Sequence, residues 1–232
     1  MVEMDAEEHY YERLRQFAAE TVASGGIVLL GSSHLEWFDT AFFLPGRRFV
    51  NRGIAGDRLG LADHRRDAGA TDVGHPPRRR PTLHQRGILH RLDVSVFRCD
   101  PAAIVFENGI NDLGELWRTG TPTLEEIVGA YERVVEAIRA RLPAVPLLIV
   151  NILPTSSVYE GLNALVRRLN PHVARIAERY GGRYLDVHAA MVDPEGALGA
   201  DLTVDGLHLN KRGYALWAER LAPLLPPAAA MA

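Results

Sequence analysis

The chain has 232 residues, 47% of them hydrophobic and 24% charged, which gives enough apolar surface to close a full core around one domain. A formal charge of −3 gives no global pull toward nucleic acid or an anionic membrane, so neither is expected as a partner. The single cysteine, Cys99, excludes an internal disulfide framework and a cysteine-based zinc cluster. It lies in "FRCDP", just before a strand pattern, and reads as a packing residue rather than a nucleophile.

The first element, over roughly 5–23, is acidic and amphipathic and predicts a helix without an apolar core of signal-peptide length. No run of about 18 apolar residues occurs, so no membrane insertion is expected and the chain reads as cytoplasmic. A first strand, "GIVLL" (26–30), ends in "GSSH", and a second, "RFV" (48–50), is followed by "NRGIAGD". Next comes 64–85, rich in Arg, His, Pro and Gly and nearly free of large apolar side chains. It cannot bury enough surface to hold its own fold and reads as a long loop or insertion. An active-site lid, an oligomer contact and an anion site at Arg78, Arg79 and Arg80 are its sharper readings. His64, His75 and His84 within it have no metal-ligand spacing, and no metal is expected.

A helix is predicted over 86–97 from apolar residues at three- and four-residue spacing. The third strand, "AAIVFE" (102–107), leads into "NGIND". A helix over 123–142 opens with Thr123 and Glu126 at capping-box spacing. The fourth strand, "PLLIVNI" (146–152), precedes a helical pattern over 161–181, in which Pro171 predicts a kink or break. "RYLDV" (183–187) is the fifth strand, and a last helix spans about 211–225. The strands lack a clean two-residue alternation, as strands buried on both faces do. Strands alternating with helices predict a three-layer α/β/α sandwich around a flavodoxin-like parallel sheet of about five strands. No repeat or linker divides the chain, so 1–232 reads as one domain.

An open parallel sheet binds its ligands at the carboxyl ends of its strands. The polar residues there are Ser32, Ser33 and His34 after the first strand, then Gly53, Gly56 and Asp57 after the second. Asn108, Gly109, Asn111 and Asp112 follow the third, and Asp205 and His208 lie beyond the fifth. Together they supply a hydroxyl nucleophile, a histidine to take its proton, a carboxylate to orient that histidine, and neutral donors. Asp205-x-x-His208 can be built on one turn before the last helix, a spacing that Asp201 lacks. Asp57 and Asp112 read as loop-bracing groups, and His34 as a neighbour of the site that points elsewhere.

These blocks, in this order, resemble those of the SGNH hydrolases, the GDSL esterase and lipase family, over nearly the whole chain. The resemblance aligns Ser33 with the family's nucleophile and sets Ser32 where the family usually carries Asp. It implies Asp205 and His208 as acid and base, and an oxyanion hole from Ser33, Gly56 and Asn111. "NRGIAGD" and "DGLHLNKRGY" look closest to the acetylhydrolase-like branch. Leu35 stands where an α/β-hydrolase elbow would place its last glycine, so that motif does not apply. The implied activity is hydrolysis of carboxylic esters, short acyl or acetyl esters favoured, on a small-molecule substrate, through an acyl-enzyme and without a cofactor. Acyl transfer by the same residues, thioester or lysophospholipid substrates, and a non-catalytic role for the Arg-rich segment are the alternatives. Trp37, Trp117 and Tyr159 are candidates for a substrate pocket, and homo-oligomerisation is left open.

Overall fold

The computed structural model describes residues 6–60 and 86–227. Helix α1 (Ala6–Ala19) precedes β1 (Ile27–Gly31), which leads at once into the single helical turn α2 (Ser33–Glu36). Another short helix, α3 (Thr40–Phe43), leads to β2 (Phe49–Gly53). Then follow α4 (Leu92–Ser95), β3 (Ala103–Glu107), α5 (Ile110–Thr119) and α6 (Leu124–Arg141). The chain continues through β4 (Leu147–Val150), α7 (Asn163–Arg179), β5 (Arg183–Leu185), α8 (His188–Met191) and α9 (Lys211–Leu221). All five strands pair in parallel in the order β2-β1-β3-β4-β5, the flavodoxin-like arrangement with its switch point beside β1.

Successive strand residues point to opposite faces, and both faces are apolar. Val28, Leu30, Ile104 and Phe106 join one core with Tyr131, Val134 and Ile138 of α6 and Val166 and Leu169 of α7. Ile27, Leu29, Ala103 and Val105 join the other with Leu35 of α2 and Trp217 and Leu221 of α9. Two-sided burial therefore explains why the strand sequences show no polar alternation. A smaller cluster, Tyr10 and Phe17 with Ile54, seats α1 on the loop after β2.

Three local expectations are revised. The predicted helix over 86–97 is divided into 3-10 turns at Ile88–Arg91 and Phe97–Cys99 around the one-turn α4. Arg91 leaves helical geometry (φ −115°, ψ 9°) as its side chain reaches under the sheet edge. Helix α7 runs unbroken through Pro171. Pro171 and Arg167, whose carbonyl loses its donor, both lie on the exposed face, where solvent satisfies that carbonyl. Inside, Asn170 bonds both the N–H and the carbonyl of Ile152 through its side chain, pinning the helix at that level. Helix α5, absent from the sequence reading, starts directly after "NG". The Thr123–Glu126 capping box is formed as expected, with Thr123 Oγ1 accepting from Glu126 N and Glu126 accepting from Thr123 N. The Arg-rich segment 64–85, with Arg78, Arg79 and Arg80, lies outside the described residues.

At the carboxyl edge, Gly31 stands beside Gly53 on one side and Glu107 on the other. A Cβ on Gly53 would land on the backbone of Glu36, and one on Gly31 on the carbonyl of Glu107 in β3 and the side chain of Leu35 in α2. Both glycines let α2 lie close against the sheet. Gly53→Ala should destabilise the fold by about 1–3 kcal/mol, the usual cost of forcing atoms into a packed site. Thermal or urea unfolding of the purified variant measures this.

Candidate active site

Ser33 is the first residue of α2 and is 5% exposed. A strand that turns at once into a helix presents such a residue at the sheet edge, its backbone N–H without an intrahelical acceptor. Ser32 precedes the helix and is fully buried, its hydroxyl pointing into the protein without a hydrogen-bond partner. Asn51 holds the end of this turn. Its amide donates to the carbonyls of Leu35 (2.7 Å) and Glu36 (3.1 Å), and its oxygen accepts from Gly53 N.

The loop after β2 carries Gly56 at φ +74°, with open space where a Cβ would stand. The left-handed backbone alone therefore explains the glycine. Three carboxylates fix this loop. Glu36 accepts from Ala55 N and meets His9 and Arg13 of α1. Asp57 pairs with the buried Arg91 at 2.7 Å. Asn111, in the first turn of α5, donates to the Asp57 carbonyl at 2.9 Å, leaving the second amide hydrogen free. Leu59 N donates to the buried Asp112 carboxyl. The loop-bracing roles of Asp57 and Asp112 thus have explicit partners.

The fourth part is the turn before α9. Asp205 Oδ1 accepts from the N–H groups of Leu207 and His208, and Oδ2 lies 2.7 Å from His208 Nδ1. Burial would raise the Asp205 carboxyl, but the bonds from the His208 N–H, its imidazole and the Leu207 N–H hold it at about 2. It is an anion wherever the histidine needs it. Gly206 (φ +92°) passes so close to the Ser156 carbonyl that no Cβ fits, and its own carbonyl accepts from Ser156 N at 2.7 Å. Asn210 caps α9 by accepting from Arg212 N and Gly213 N. Asp201 instead pairs with Arg212.

Two contacts bring this turn to Ser33. His34 Nε2 lies 3.0 Å from the Leu207 carbonyl, and the Trp37 ring packs on the His208 imidazole with centroids 4.6 Å apart. No hydrogen bond joins Ser33 Oγ to His208 among the described residues, a common state of such pairs before substrate binds. Of the pocket candidates, Trp37 is half exposed on His208 and Trp117 lies exposed against Gly161. Tyr159 is partly buried against the core. Cys99 is buried, its thiol donating to the Ser95 carbonyl and pushed up in pKa by burial.

Sequence reading missed Glu36, Asn51 and Arg91, which hold the loops rather than line the site. Glu36 and Asn51 each lie beside a glycine-bearing block, a local signal that Arg91 lacks. Among the described residues, no group of three or more His, Cys, Asp or Glu could hold a metal, and no helix is long and apolar enough to cross a membrane.

Residues 36–216 match the model of the GDSL-like lipase/acylhydrolase family. The matched span takes in Gly56, Asn111, Asp205 and His208 and begins after Ser33. The chain belongs to this family and is a carboxylic ester hydrolase by class. No curated protein matches it. A Streptococcus pneumonia protein provisionally described as a platelet activating factor has a similar structure, with 20% identity, 95% of this chain and 94% of that one covered, and a TM-score of 0.75. A GDSL-like lipase from Bacteroides thetaiotaomicron gives 18%, 92%, 95% and 0.71 in the same order. Axe2, an acetylxylan esterase from Geobacillus stearothermophilus, gives 14%, 92%, 100% and 0.61. At these identities the likeness is one of fold.

Burial pushes the Asp112 carboxyl up to about 7, against the Leu59 N–H. Its folded value lies above the unfolded one, so its contribution to stability is full below about pH 4 and is lost as pH rises through about 7. Asp112→Asn keeps an acceptor for Leu59 N without the titration. Thermal unfolding followed from pH 5 to 8 should show a shallower decline for this variant than for the wild type.

Proposed function

We propose that the protein hydrolyses small carboxylic esters, short acyl or acetyl esters first among them, through a covalent acyl-enzyme on Ser33. The observation that carries this reading is the Asp205–His208 pair at 2.7 Å, on a turn tethered to the Ser33 helix. With Nδ1–H given to an ionised carboxylate, the His208 Nε2 lone pair is left to act as a base.

In the first half-reaction Ser33 Oγ attacks the acyl carbon while its proton passes to His208 Nε2. Collapse of the tetrahedral species breaks the ester C–O bond, and His208 returns that proton to the departing alcohol. Water then enters, gives a proton to His208, and attacks the acyl-enzyme. Ser33 leaves with that proton and the carboxylic acid is released. The oxyanion formed in each half would meet the N–H groups of Ser33 and Gly56 and the free amide hydrogen of Asn111. Such donors are aimed before the charge develops, and each is worth roughly 100- to 1,000-fold in rate. Trp37, its ring tilted 55° against the His208 imidazole at 4.6 Å, limits the room beside the base, which supports a short acyl group. The acetyl substrate named for Axe2 points the same way.

Ser33→Ala should abolish turnover of a p-nitrophenyl ester series, and wild-type kcat/KM should fall as the acyl chain lengthens from acetyl. Asn111→Ala should lower kcat by roughly 100-fold, with a fall in unfolding midpoint no larger than the loss of its one hydrogen bond to Asp57 explains, about 1 kcal/mol. Wild-type turnover by Asn111→Ala would remove it from the oxyanion hole, and a rate rising with chain length would overturn the short-acyl preference.

A further inference from the structure

Behind Ser33 lies a second acid–histidine pair that the hydrolytic scheme does not use. Glu107 ends β3 at 0% exposure, and neither of its carboxylate oxygens has a hydrogen-bond partner. Its one ion-pair partner among the described residues is His34, 1% exposed, with Nδ1 at 3.6 Å from Oε2. A bare carboxylate is not stable at such depth, so the two groups must share a proton or a charge.

The other face of the His34 ring decides where the protons stand. Its Nε2 lies 3.0 Å from the Leu207 carbonyl, and a carbonyl only accepts, so Nε2 carries hydrogen. Two arrangements then remain, imidazolium beside carboxylate, or neutral imidazole accepting at Nδ1 from a protonated Glu107. Each leaves Nε2–H pointing at Leu207. Without Glu107, His34 could carry its hydrogen on Nδ1 instead, and the Nε2 lone pair would face the carbonyl and repel it.

Leu207 is the residue before His208, and the two imidazole rings lie 6.0 Å apart, edge to face. The remaining neighbours hold His34 still. Tyr214 OH donates to its carbonyl at 2.9 Å, and the Trp217 ring lies 6.4 Å away. Burial would lower the His34 pKa, but Glu107, the Leu207 carbonyl and Asp205 outweigh it and raise it. Tyr131, packed in the core below Glu107, is held neutral by burial and by that carboxylate.

We propose that His34 and Glu107 form a positioning pair. Glu107 fixes the proton on His34, whose Nε2–H holds the Leu207 carbonyl and thereby sets the His208 imidazole against Ser33. The inference rests on His208 being the base, as proposed above. It assigns a function to the residue beside the nucleophile that composition alone presents as a bystander.

The test replaces both members at once, because removing one would strand the other in the core. His34→Leu/Glu107→Leu should fold, leave KM within about twofold, and lower kcat by roughly 10- to 100-fold, the penalty for a displaced catalytic group. Glu107→Gln should recover most of that loss, since its amide can donate to Nδ1 and keep the hydrogen on Nε2. Wild-type kcat in the double variant would overturn the proposal, as would a loss in Glu107→Gln as large as the double variant's. Nitrogen-15 NMR of the wild-type protein gives an answer even if the double variant does not fold. The His34 Nε2 should stay protonated and slow to exchange from pH 5 to 9, and an unprotonated Nε2 would overturn the proposal. His208→Ala in the same assay separates the two readings. Retained activity there defeats the base assignment, whereas lost activity there with an unaffected double variant defeats only the positioning pair.

Discussion

One buried guanidinium ties together the loops at the carboxyl edge of the sheet. Arg91 donates to the Gly31 carbonyl at the end of β1 (3.1 Å) and to the Arg52 carbonyl near the end of β2 (2.8 Å). It also pairs with Asp57 in the loop that carries Gly56, and donates to Ser95. Asn111 in turn donates to the Asp57 carbonyl. Two of the blocks met in the sequence therefore share a single cation, and the third joins them through the Asp57 carbonyl. Arginine suits this place because its planar fork supplies several donors in fixed directions and stays charged when buried. Deleting it would leave Asp57 as an unpaired buried charge, a loss of about 3–5 kcal/mol.

The fourth block is held independently. Its anchors are the Gly206–Ser156 contact, the Asn210 cap and the His34–Leu207 bond, which tie it to the segment after β4, to α9 and to the Ser33 helix. The parallel sheet makes this convergence possible. It ends β1, β2 and β3 at the same level, Gly31 beside Gly53 and Glu107, so short loops need only lean inward. Glycine at 31 and 53 lets α2 lie against that edge.

Much of this was legible beforehand because it depends on local chemistry. Apolar runs gave the strands, and the Thr123–Glu126 spacing gave the start of α6. The residues of "GIAGD", "GIND" and "DGLH" all lie at the sheet edge or on the turn before α9, where the reading put them. What escaped was set by long-range contacts. Arg91 in "HRLDVSVF" looks like a polar position on a helix face, and only Asp57 and the strand-end carbonyls show that it turns inward and breaks the helix. Pro171 predicted a break from its missing N–H, yet the unpaired carbonyl faces solvent while Asn170 fastens the inner side. Glu36 and Asn51 reveal their tasks only once α2 is folded back onto β2.

Two adjacent hydroxyls differ in place, Ser32 buried without a hydrogen-bond partner and Ser33 at the start of α2. Treating the active protein with a fluorophosphonate and locating the adduct by peptide mass spectrometry tests that difference directly. A single adduct on Ser33, formed as esterase activity disappears and blocked in His208→Ala, is the predicted result. An adduct on Ser32, or complete inactivation with Ser33 unmodified, would contradict it.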